Sequence, residues 1–151
     1  MPSPVTEVGH RFNVALAHRG MSIQKAIEVE GVPTCVSNVS HDKRRGDPSL
    51  STLTRLALLG QCSIGFLLGE TEDRTPRERI GSVAEHFDAA LAARNVALST
   101  AIEESGLTIS EYHAKRYRDR ENPRLSTLRL LAHVANTDVS TLIGERKNGA
   151  A

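Results

Sequence analysis

"PSLSTLTRLALLGQCSIGFLLGE", residues 48–70, returns as "PRLSTLRLLAHVANTDVSTLIGE", residues 123–145, at an offset of 75 with no insertion or deletion. Each copy carries Leu-Ser-Thr-Leu, then apolar residues at spacings of three and four, then a Gly-Glu ending. The same offset aligns Val8 with Val83, Phe12 with Phe87, Arg19 with Arg94 and Gly31 with Gly106. It also aligns Ala26-Ile27-Glu28 with Ala101-Ile102-Glu103, and Arg45 with Arg120. About a third of the pairs between residues 5–70 and their counterparts are identical. A period of this length is too long for a solenoid unit. Two copies of one small domain are expected instead, over residues 1–72 and 78–146. The linker is residues 73–77, inside the charged stretch "ETEDRTPRER", and residues 147–151 form a tail.

Within each copy the apolar spacing is helical. Val8, Phe12, Ala15, Leu16 and Arg19 predict a first helix, matched by Val83, Phe87, Ala90, Leu91 and Arg94. A second helix follows Ser22, and Ser99 or its neighbours in copy two, and stops at Gly31 and Gly106. The third starts at Pro33, a first-turn proline, and at Thr108, where Thr108 and Glu111 have capping-box spacing. A fourth helix runs from about Ser51 to Leu59 and from Thr127 to Val134, with Leu53, Leu56 and Ala57 inward. A short fifth holds Ile64, Leu67 and Leu68, or Val139, Leu142 and Ile143. The expectation is an all-α chain of two five-helix domains.

Composition agrees with packed helices. Aromatic residues make up 3% of the chain and tryptophan is absent, so Leu, Ile, Val and Ala must fill the cores. A net charge of +1 does not itself argue for nucleic-acid affinity, so any such argument rests on local clusters. Cys35 and Cys62 have neither CxxC spacing nor a histidine pair, so reduced thiols and no metal site are expected. No apolar run has the length of a signal peptide or membrane span. The acidic residues and histidines form no catalytic constellation and no glycine loop cradles phosphate, so an enzyme and a cofactor are not expected.

The order of helix, glycine turn, helix and Pro-Ser-Leu-x-Thr-Leu-x-x-Leu-Ala resembles the Cro/C1-type (XRE-like) helix-turn-helix family. Ser22, Gly31, Val32, Pro48, Leu50, Thr52, Leu53, Leu56, Ala57 and Leu67 carry the resemblance in copy one. Gly106, Leu107, Asn122-Pro123, Leu125, Thr127, Leu128, Leu131, Ala132 and Leu142 carry it in copy two. The resemblance implies two lambda-repressor-like domains, each laying its third helix in a DNA major groove. It further implies a cytoplasmic, nucleoid-associated repressor of bacterial or phage type whose partners are double-stranded DNA and a second copy of the chain. The sequence identifies no small-molecule effector.

In copy one, Val36 and Val39 are taken as inward anchors, which leaves Thr34, Ser37, Asn38 and His41 to read bases. Lys43, Arg44 and Arg45 follow where phosphate contact is natural, with Ser22 and Gln24 at the start of the second helix. In copy two the matching positions are Glu111 and Ala114. A glutamate suits an apolar seam poorly, so Ile109 and Tyr112 are taken as the buried pair, rotating this helix relative to copy one. Ser110, His113 and Tyr117 then face outward, with Lys115, Arg116, Arg118, Arg120 and Ser99 on the phosphate side. A second reading stays open, in which one copy, the second before the first, binds a partner protein instead of DNA.

Overall fold

A computed structural model describes residues 6–146 and is all-helical, with ten helices and no strand among those residues. The chain divides after Arg77 into two compact units. The first holds α1 (Glu7–Arg19), α2 (Ile23–Glu30), α3 (Val36–Asp42), α4 (Leu50–Gly60) and α5 (Ile64–Leu67). The second holds α6 (Val83–Arg94), α7 (Leu98–Ser105), α8 (Glu111–Arg118), α9 (Leu125–Ala135) and α10 (Val139–Leu142).

Helix starts follow side-chain caps where the sequence offers one. Thr6, Ser22, Ser49 and Ser63 accept backbone N–H bonds at α1, α2, α4 and α5, as do Ser82, Ser110 and Asp138 at α6, α8 and α10. Two expected starts differ. The third helix of the first unit begins at Val36, not Pro33, behind Cys35, which makes no side-chain capping bond. In the second unit Ser110 accepts from the His113 N–H, so the cap of α8 lies two residues beyond the expected Thr108. Ala97 precedes α7, and Ser99 lies inside that helix and caps nothing.

Each unit closes a leucine-rich core around a fully buried phenylalanine of its first helix. Phe12, Leu53, Leu56, Leu59 and Leu67 are fully enclosed in the first, and Phe87, Leu128, Leu131 and Leu142 in the second. Truncating either phenylalanine to alanine would cost on the order of 3–5 kcal/mol through lost transfer energy and a cavity. The repeated arginines explain themselves at this level. Arg19 Nη1 donates to the Leu59 carbonyl and Arg94 Nη1 to the Val134 carbonyl, tying the end of the first helix to the end of the fourth. Their other nitrogens meet Glu30 at 3.1 Å and Glu104 at 2.8 Å.

Both ends of the stretch 70–79 are tied to the helical units. Arg11 stacks on the Phe66 ring, donates to the Phe66 and Thr71 carbonyls and pairs with Glu72. In the second unit the Ile80 N–H donates to the Gly144 carbonyl and the Arg146 N–H to the Glu78 carbonyl. Residues 78–80 are thus laced against 144–146 in a single antiparallel bridge.

Candidate nucleic-acid interface

The second and third helices of each unit are separated by a short turn that opens at Gly31 or Gly106. Both residues have positive φ, +65° and +75°, where a side chain is strained, and each donates its N–H in the closing hydrogen bond of the helix before it, to the Ile27 and Glu103 carbonyls. The third helix is then held by one enclosed apolar residue, Val39 in α3 and Ala114 in α8, both 0% exposed. These positions are equivalent in the repeat, so the two helices present the same face to their cores.

This corrects the expected rotation of copy two. Tyr112, expected to be buried, is 63% exposed, and Ile109 is half-buried in the loop before α8. Val36, expected to be an inward anchor, is exposed as the first residue of α3. The physical reason is helix length. With barely two turns, one inward residue fixes the helix, and the next inward position lies three residues on, at Asp42 and Tyr117.

Asp42 is a buried carboxylate with Arg45 and Arg55 each 3.6 Å away. Its counterpart Tyr117 is half-buried, with the Arg120 guanidinium 4.9 Å above its ring. Tyr117, expected to read bases, therefore has its ring partly packed between helix and loop. Thr34 also differs from expectation, since it precedes α3 and its hydroxyl oxygen is enclosed. Ser110 is occupied as the cap of α8, its Oγ also 2.8 Å from His113 Nδ1. Ser37, Asn38, His41 and His113 are exposed on the helices as expected. The exposed set also includes Val36, Glu111 and Tyr112, which sequence reasoning had not placed there.

A second equivalence concerns the cations after the third helix. Lys43 Nζ donates to Asn13 Oδ1 at 3.0 Å, and Arg118 Nη1 to Asp88 Oδ1 at 2.9 Å. Lys43 matches Arg118 in the repeat, and Asn13 matches Asp88, so each clips the third helix to the first. Partial burial and the neighbouring Arg44 push the Lys43 ammonium below its ordinary pKa. Bonding to Asp119 above all, and to Asp88, raises that of Arg118 against the lowering effect of burial. Arg44 donates to the Ser40 carbonyl and Arg45 pairs with Asp42. In the second unit Lys115, Arg116 and Arg120 remain exposed. Gln24 and Ser99, near the starts of α2 and α7, are exposed as well. Ser22 is spent on the Lys25 N–H.

No protein-family model matches the chain, and no match to it is found among curated proteins or solved structures. The site therefore rests on geometry.

Two further features complete the surface. Cys35 is exposed at the start of α3, and hydrogen bonds from the Ser37 hydroxyl and the Asn38 N–H hold its thiol below the ordinary value. On another face of the first unit, an open groove of about 550 Å³ runs between the end of α2 and α4, lined by Glu30, Val32, Pro33, Thr54, Arg55 and Leu58. Val29 and Leu58 are exposed in that region, and their counterparts in the second unit are Glu104 and His133. No group of three or more His, Cys, Asp or Glu residues could hold a metal ion among the described residues, and no helix there is long and apolar enough to cross a membrane.

Proposed function

We propose that the chain is a sequence-specific double-stranded-DNA-binding regulator of the repressor type, with two helix-turn-helix units that each carry a major-groove reading helix. The observation that carries this reading is the repeated presentation of one helix. In both units a left-handed glycine turn, a single buried apolar anchor and a clip to the first helix hold a short third helix, with its first residues exposed. A helix fixed in this way, and bare on its outer face, suits insertion into a groove about 12 Å wide. The side chains it offers, Ser37, Asn38, His41, Tyr112, His113 and Arg116, are of the kinds that bond base edges or phosphates. The resemblance to the Cro/C1-type family, carried by Pro48 to Leu67 and Pro123 to Leu142, supports the same reading.

A near-neutral chain gains little from charge alone, so binding to a random duplex should be weak and specific binding should depend on base contacts. The test is fluorescence anisotropy on enriched and random duplexes across a salt series. Asn38→Ala should weaken the enriched duplex at an unchanged salt slope. Lys115→Ala with Arg120→Ala should weaken both duplexes and flatten the slope, by about 0.9 for each phosphate no longer neutralised. Full-length chain that binds no duplex at low salt would end this reading.

A further inference from the structure

The repeat supplies an internal control on the reading surface. Four positions of the third helix are exposed in both units: Val36, Ser37, Asn38 and His41 in α3, and Glu111, Tyr112, His113 and Arg116 in α8. Not one of the four pairs is identical, although the supporting segment keeps Leu-Ser-Thr-Leu unchanged. The differences also run in one chemical direction. The first unit offers an apolar Val36 and the carboxamide of Asn38, both exposed. A branched apolar side chain suits the thymine methyl group, and a carboxamide can bond adenine N6 and N7 together. The second unit offers the acceptor Glu111 and the forked donor Arg116. A carboxylate accepts from cytosine N4, and a guanidinium bonds guanine O6 and N7 together.

Arg116 is positioned for that role. Its guanidinium lies 5.7 Å from the centroid of the exposed Tyr112 ring one turn earlier, and its Nη1 lies 3.4 Å from the Tyr112 hydroxyl. Such stacking limits the rotamers of a long side chain and so lowers the ordering cost of a bidentate contact. In α3 the Arg116 position is held by His41, which has no guanidinium fork to offer.

From these facts we infer that the two units read different base pairs: the first A·T through Val36 and Asn38, the second G·C through Glu111 and Arg116. The target is then a composite, non-palindromic site with one A·T-reading and one G·C-reading half. Two identical half-sites would need identical readers, and the chain does not carry them. The inference rests on the DNA-binding reading above.

The test is selection of bound duplexes from a random library by the full-length chain, repeated with Asn38→Ala, Arg116→Ala and Arg116→Lys. The expected product is an asymmetric motif. Asn38→Ala should relax an A·T position in one half, and Arg116→Ala a G·C position in the other, each by roughly 5- to 150-fold in discrimination. Arg116→Lys should keep the salt slope yet relax the same guanine, because an ammonium cannot form the fork. A palindromic motif, or both substitutions relaxing the same positions, would overturn the inference while leaving DNA binding intact. Failure to enrich any duplex, with no binding at low salt, would overturn both together.

Discussion

Cys35 and Cys62 show how one side-chain type takes two fates. Cys62 is 3% exposed in the first unit's core, whereas Cys35 stands in solvent with hydrogen bonds that favour its thiolate. Under native conditions a small alkylating reagent should label one cysteine only, and faster than a free thiol at neutral pH. Because the folded-state pKa of Cys35 is lowered, its thiolate fraction is already raised below the ordinary cysteine pKa near about 8.5. Labelling of both thiols at one rate would contradict the burial. Asp42 illustrates a different dependence. Arg55→Ala removes one of its two cations and should destabilise the first unit by about 1 kcal/mol, discounted because Arg55 is partly exposed and Arg45 remains. At this scale the sequence was hardest to read. Ser37, Asn38, His41 and His113 were legible as outward residues, but Val36 and Tyr112 were not. Apolar character alone marks Val36 as an anchor and makes Glu111 unfit for the same position, although both are exposed. In a helix of seven or eight residues one anchor suffices, and the repeat offset itself, pairing Val39 with Ala114, was the signal that fixes both.

At the scale of elements, the glycine that ends the second copy is harder to replace than the one in its turn. A Cβ on Gly144 would collide with the Ile80 carbonyl oxygen, whereas one on Gly106 would meet nothing within 4 Å. Both have positive φ, so Gly106→Ala should cost about 1–2 kcal/mol from backbone strain alone. Gly144→Ala should cost clearly more and should speed amide exchange at Ile80 and Arg146; equal midpoints in urea would contradict this. Asp138 gives the acid dependence. Burial would raise its pKa, but bonds from the Thr141 hydroxyl and N–H and from Ser140 outweigh it and leave the carboxyl below its ordinary value. A lowered folded-state pKa means its stabilisation is complete above the unfolded pKa and is lost as pH falls through the folded one. Asp138→Ala should therefore cost about 1 kcal/mol at neutral pH, and less in strong acid. A cost that grows on acidification would contradict the assignment. Helix order and most helix ends were legible, since capping residues and glycines mark them. The start of α8 was missed because two plausible caps, Thr108 and Ser110, stand two residues apart.

For the whole molecule, the repeat conserves support and varies surface. The arginine tie to the end of the fourth helix and the clip from third helix to first recur in both units, while the exposed third-helix residues and the α2–α4 face have diverged. The tie was not legible as a contact, because a long-range bond to a backbone carbonyl leaves no local pattern beyond the matching of Arg19 with Arg94. The central claim is that both third helices contact duplex DNA, and a titration of ¹⁵N-labelled full-length chain with a selected duplex tests it most directly. The account predicts salt-sensitive shift changes centred on Val36–His41 and Glu111–Arg116. Changes confined to one unit, or centred on Val32 and Leu58 along the α2–α4 groove, would contradict it.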